Sequence, residues 1–232
     1  PPTVSEIDLI ELEPEVVIAN RIVGADRLGG APLDDPRLNL RIGDARGALM
    51  LSGRKYDAII SQPSHPWTSG ASHLYTKEFF EMVSDRLESD GVFVQWIGLG
   101  FVDTNLLRSL VATLADTFEH LLVISPGASV GRASMAFVAS NEPLSLLETA
   151  PRAIEMIGDD LARVGVHSKE DIAAALVLDN QAARQFSSES QLISDDHNLL
   201  AWAASRVGED WALKQPIAEA IAPYDVLPDI PD

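Results

Sequence analysis

Strand-like and helix-like patterns alternate along the first 140 residues of this 232-residue chain. That alternation restricts the fold more than any single motif does. "EIDLIELE" (6–13) reads as a strand and "PEVVIANRIV" (14–23) as a helix with proline in its first turn. "RLNLRIGDA" (37–45) gives a second strand, followed by a short helix from Arg46, and "YDAIIS" (56–61) a third strand. "SHLYTKEFFEMVSDRLES" (72–89) predicts one helix with Leu74, Phe79, Met82, Val83 and Leu87 along a side. "GVFVQWIGLG" is a fourth strand, and "DTNLLRSLVATLADTF" a helix capped by Asp103 with Leu106, Leu107, Leu110, Val111, Leu114 and Phe118 on one stripe. "HLLVIS" and "SMAFVAS", joined by "PGASVGRA", predict an antiparallel pair. Repeated β-α units point to an α/β fold, a mostly parallel sheet covered by helices on both faces.

From about residue 144 the pattern becomes helical, as in "KEDIAAALVLDNQAARQF", and the chain closes with the acidic, proline-containing "YDVLPDIPD". The expected organisation is an α/β domain over 1–143, a helical extension over 144–222 and a flexible acidic tail over 223–232. Apolar residues make up 46% of the chain, enough for a core, yet no run reaches the roughly 18 consecutive apolar residues of a membrane span. Cysteine is absent, which removes disulfides, zinc–thiolate sites and thiol nucleophiles and fits a reducing, cytoplasmic setting. A formal charge of −18 repels phosphate backbones, so nucleic acid is not an expected partner, whereas cationic ligands are attracted.

Chemistry in α/β sheets gathers at strand C-terminal ends. There this sequence puts Glu11, Asp44, the stretch 61–65 and Gln95. The two carboxylates have a plainer reading as solvated loop residues, with Asp44 as the cap of the helix from Arg46. No G-x-S-x-G elbow suggests a serine hydrolase. "SDDH" (194–197) reads as a helix cap rather than a metal site, because adjacent residues at a helix start point in different directions. His73, His120 and His167 stand alone, and no metal is expected.

"IDLIELEPEVV", "DPRLNLRIGDAR", "YDAIISQPSHPW", "LYTKEFFEMVSDRLESDGVFVQW" and "SMAFVAS" occur in the order and spacing of the spermidine synthase family, the polyamine aminopropyltransferases. The resemblance covers roughly residues 3–140 and is strongest to divergent bacterial members, often fused behind a membrane segment. "LISDDHNLLAWAASR" (192–206) is similar to a C-terminal motif of that subgroup. The resemblance implies a methyltransferase-type Rossmann domain. Such a domain binds decarboxylated S-adenosylmethionine and moves its aminopropyl group onto a small cationic amine such as putrescine. By this resemblance Glu11 holds the ribose hydroxyls, Asp44 with Ala45 meets the adenine amino group, Tyr75 lies near the amine, and Gln95 lines the base of the pocket. Family members often dimerise, so a homodimer is expected, as is an upstream membrane tether in fused members.

The family carries two aspartates in a "DSSDP" loop after its "YDxII" strand. Here Gln62 and His65 occupy those positions, while Ser64 and Pro66 match. Amines titrate at about 10, so the site must take a proton from one; His65 is the candidate base. Asp103 offers a substitute charge, against its reading as a cap. The family's aromatic loop is also altered, since "SPGASVGRA" holds no aromatic residue. In nucleoside-binding sheets a glycine-rich unit comes before the strand bearing the acidic residue, yet Gly29-Gly30 falls after it. Residues upstream of Pro1 are therefore expected. The expected function is aminopropyl transfer at an atypical site. The alternatives are an S-adenosylmethionine-dependent methyltransferase and a non-catalytic nucleoside-binding or regulatory domain.

Overall fold

The structure, a computed structural model, describes residues 2–28, 31–63, 66, 68, 70–125, 134–202, 217–224 and 226. The chain forms two compact units, Pro1–Gly53 and Arg54–Asp232. In the first, β1 (Ile7–Glu11) and β2 (Leu38–Ile42) pair in parallel, Ile7 opposite Leu38 and Glu11 opposite Ile42. A tight turn can only return a strand antiparallel, so the connection runs through a helix, α1 (Pro14–Leu28). Arg37 braces the entry to β2. Its guanidinium donates to Asp35 at 2.7 Å, a bond that holds the Asp35 carboxyl down at about 2, and to the carbonyl of Val4 at 2.9 Å. The helix α2 (Ala45–Leu51) follows β2. No residue of β1 or β2 is fully buried, and Ile18, Ile22, Met50 and Leu51 are exposed on the helices.

The second unit is built on a five-stranded sheet of order β3-β4-β6-β5-β7, comprising β3 (Tyr56–Ser61), β4 (Leu87–Gly98), β5 (His120–Ile124), β6 (Ser134–Ser140) and β7 (Leu176–Leu178). β3 and β4 are parallel, and β6 enters antiparallel between β4 and β5, forming the expected pair with β5. Along β4, Phe93, Gln95 and Ile97 are buried while Val92, Val94 and Trp96 are half-buried, the two-residue alternation of a strand with one inward face. Gly91 sits where the β3–β4 register shifts: a Cβ there would lie 3.0 Å from the carbonyl oxygens of Glu88 and Tyr56. The inward face meets α3 (Lys77–Arg86) and α4 (Thr104–Thr117) through an aromatic cluster. Phe93 stacks on Phe118 at 5.8 Å between centroids and lies 5.8 Å from Phe80.

Three elements depart from the sequence expectation. The helix expected over 72–89 divides into a 3-10 turn (Ala71–Tyr75) and α3, separated by an extended Thr76. β4 begins at Leu87, which is buried in the strand rather than lying on the helix stripe. The helical stretch after residue 144 forms α5 (Leu146–Arg163), α6 (Lys169–Ala175) and α7 (Asn180–Phe186), but β7 interrupts it and pairs antiparallel with β5. "LVL" is three β-competent apolar residues beside an open strand edge, and that edge outweighs the helical surroundings. Among the described residues, no helix is long and apolar enough to cross a membrane.

Asp103 caps α4, its carboxylate accepting from the Leu106 N–H at 2.8 Å. Asp103→Ala is expected to lower the unfolding free energy by about 1 kcal/mol in urea denaturation, and Asp103→Ser to restore most of it. Equal losses in both variants would rule out capping as the main role.

Candidate functional site

In the first unit, Glu11 ends β1 and Asp44 follows β2 by two residues, so two carboxylates share the C-terminal edge of one parallel pair. The Glu11 carbonyl accepts from Gly43 N–H at 2.9 Å, fixing the loop that carries Asp44. One Glu11 carboxylate oxygen accepts the Glu13 N–H at 3.0 Å. Asp44 is exposed and caps α2, accepting from Arg46 N–H at 3.2 Å and Gly47 N–H at 2.8 Å. The missing side chain of Gly47 allows that approach, since a Cβ there would sit 2.9 Å from Asp44 Oδ2. The capping alternative is thus realised. It does not exhaust the carboxylate, which has about four acceptor sites. Ala45 opens α2 directly behind it.

In the second unit, Ser61 at the end of β3 lies opposite Gln95 of β4, so exposed Gln62 emerges from the same strand ends that carry Gln95. Gln95 is a fully buried polar residue in an apolar row. Its amide donates to the Trp96 carbonyl at 3.1 Å, and its side-chain oxygen has no hydrogen-bond partner among the described residues. Tyr75, also fully buried, donates to the same Trp96 carbonyl at 3.2 Å. Burial pushes its phenol well above the ordinary value, with the Gln95 side chain opposing only in part. A phenol so placed stays neutral and packs as a wall. His65 and the loop 126–133, the altered counterpart of the family's aromatic loop, lie outside the described residues. Asp103 caps α4 through one carboxylate oxygen.

One cluster departs from the sequence reading. Of the two capping candidates in "SDDH", Ser194 accepts the His197 N–H at 3.1 Å and caps the turn, whereas Asp195 is not a helix cap, and His73 does not stand alone. The Asp195 carboxylate accepts from Thr76 Oγ1 at 2.8 Å and meets His73 Nδ1 at 3.4 Å, while its N–H donates to Glu78 at 2.9 Å. The helix start is capped instead by Asn198, which accepts from Ala201 N–H at 3.0 Å. "SDDH" was visible, but its partners lie about 120 residues away, beyond any local pattern.

The spermine/spermidine synthase domain family matches residues 2–130. The chain is 30% identical over 146 residues to a polyamine aminopropyltransferase of Synechococcus sp. (strain JA-2-3B'a(2-13)), covering 62% of this chain and 46% of that protein. It is 37% identical over 117 residues to the polyamine aminopropyltransferase of Korarchaeum cryptofilum, covering 50% of this chain and 36% of that one. The chain therefore spans less than half the length of these relatives. In fold it is similar to the crystal structure of spermidine synthase from Thermotoga maritima, with a TM-score of 0.60 at 20% identity over 78% of this chain and 60% of that one. The match over more than half of its residues, on a sheet of this architecture, means that the chain belongs to the spermine/spermidine synthase family.

Proposed function

We propose that this chain carries out aminopropyl transfer from decarboxylated S-adenosylmethionine to a small cationic amine, at a site where Gln62 and His65 replace two aspartates. The observation that supports it most is the pair Glu11 and Asp44, two carboxylates on adjacent parallel strand ends, where α/β sheets bind nucleosides. In this reading Glu11 accepts from the ribose hydroxyls, Asp44 and Ala45 receive the adenine amino group, and Gln95 lines the base of the pocket. Tyr75 is a neutral wall near the amine.

The amine nitrogen attacks the methylene carbon beside the sulfonium. The C–N bond forms as the C–S bond breaks, the electron pair returns to sulfur, and methylthioadenosine leaves. Before attack His65 takes one proton from the ammonium, which frees the nitrogen lone pair, and the product leaves as a secondary ammonium. Gln62 accepts an N–H from the amine but brings no charge to hold it, so a weakly held amine is expected. Losing one charge partner in a desolvated pocket costs about 2–5 kcal/mol.

The test is calorimetric titration with the decarboxylated and the ordinary cofactor, followed by assay of amine-dependent methylthioadenosine release. Binding of the decarboxylated form with release on adding diamine is the expected result. Asp44→Ser, which keeps a capping oxygen, should retain parental stability to within about 1 kcal/mol while cofactor affinity falls. Preference for the ordinary form would move the reading to methyl transfer. Binding without release for any amine would leave a nucleoside-binding domain, and no binding of either form would sink the proposal.

A further inference from the structure

Residues 191–195 run as a strap across the second unit. Ile193 is fully buried, its N–H donates to Thr113 Oγ1 of α4 at 2.9 Å, and its carbonyl accepts the Lys77 N–H of α3 at 2.8 Å. Two residues on, Asp195 binds both sides of the break between the 3-10 turn and α3: Thr76 and His73 donate to its carboxylate, and its own N–H is taken by Glu78.

That break is where Thr76 turns extended, at φ −95° and ψ 157°. Left to local preference, "SHLYTKEFFEMVS" would continue as one helix, because its apolar residues keep helical spacing. A single α-helix would carry Tyr75 on a different bearing from the one it has. The hydrogen bonds that keep Thr76 out of the helix come from the strap. Thr76 Oγ1 lies closer to the Asp195 carboxylate, at 2.8 Å, than to the local His73 carbonyl, at 3.3 Å, and the first amide of α3 is satisfied by Ile193. The consequence reaches Tyr75, the residue immediately before the break, whose hydroxyl meets the Trp96 carbonyl beside Gln95.

We propose that Asp195 is a positioning residue. Its carboxylate fixes the turn Ala71–Tyr75 and the extended Thr76, and through them sets Tyr75 against the Gln95 end of β4. The consequence for catalysis rests on the aminopropyl-transfer reading; the positioning itself does not. Asp195 acts through the turn and need not touch substrate.

The experiment compares Asp195→Ala and Asp195→Asn with the parent by amide hydrogen exchange and by steady-state kinetics with a diamine. Asp195→Ala should speed exchange of the amides of residues 71–77 by about 10- to 100-fold, the equivalent of one hydrogen bond to a charged group. The amides of α4 should keep their parental rates. Asp195→Asn retains an acceptor oxygen for Thr76 and should return most of the protection. In an active parent, Asp195→Ala should raise the amine KM about tenfold or more with a smaller change in kcat, because the turn shapes the site without joining the chemistry. Parental exchange over 71–77 in Asp195→Ala would overturn the proposal. So would a uniform rise that includes α4, which marks a structural residue only. A parent that transfers nothing to any amine would remove the functional reading, while the exchange comparison would still decide whether Asp195 positions the turn.

Discussion

Replacing Phe93 by alanine is expected to lower the unfolding free energy of the second unit by about 3–5 kcal/mol. Phe93 is fully buried on β4, which is hydrogen-bonded on both sides, to β3 and β6. Its ring touches elements far apart in sequence: Phe79 at 6.4 Å and Phe80 at 5.8 Å on α3, and Phe118 at 5.8 Å just after α4. Truncation therefore removes the side chain's transfer energy and opens a cavity walled by three rings that β4 and two helices hold in place. Such a site collapses poorly, which puts the cost at the upper part of the range for buried residues. Ile60→Ala is the comparison. That side chain is apolar too, but 73% exposed on an edge strand, and should cost less than about 0.5 kcal/mol. Urea denaturation followed by circular dichroism and by tryptophan fluorescence measures both, with an unchanged slope expected for each variant. A Phe93→Ala loss no larger than that of Ile60→Ala would mean that the aromatic cluster is not the core of this unit.

Much of this architecture is legible in the sequence wherever local pattern and tertiary need coincide. The helix after Asp103 follows its apolar stripe because every stripe residue from Leu106 to Phe118 is also a core residue. "YDAIIS" gives β3 without error, since the apolar run is bounded by polar turn residues on both sides. The sequence misleads where a distant partner overrides local preference. Thr76 leaves helical geometry for hydrogen bonds supplied from residues 193 and 195. Leu176–Leu178 leaves a helical context for the edge of β5. The same limit governs the site. Asp44 is readable as both ligand and cap because both roles need a carboxylate at a strand end, and its two amide contacts realise the cap. Tyr75 is readable as a site residue, but only its burial discloses that the hydroxyl is spent on a backbone carbonyl.

Glu11→Ala is expected to weaken binding of the decarboxylated cofactor by about 10- to 100-fold, or roughly 1.5–3 kcal/mol for hydrogen bonds to a charged acceptor. The same change should barely touch folding. The carboxylate's contact with the Glu13 N–H, at 3.0 Å, is exposed, and water replaces it in the variant. The expected stability change is therefore within about 0.5 kcal/mol. This separation distinguishes a ligand-holding carboxylate from a loop-shaping one, whose loss would appear in both measurements. Glu11→Gln sharpens the comparison. It keeps the length and one acceptor oxygen while removing the charge, so its affinity should fall between the parent and Glu11→Ala. Glu13→Ala controls for the general field, because this chain carries a formal charge of −18 and the ligand's sulfonium and amine are cationic. Removing any one exposed carboxylate weakens long-range attraction slightly, and salt screens that part. Calorimetry at low and at physiological salt should show the Glu13 effect shrinking with salt and the Glu11 effect persisting. If the two variants lost affinity equally, and salt abolished both losses, Glu11 would be one charge among many and the nucleoside would have to be held elsewhere.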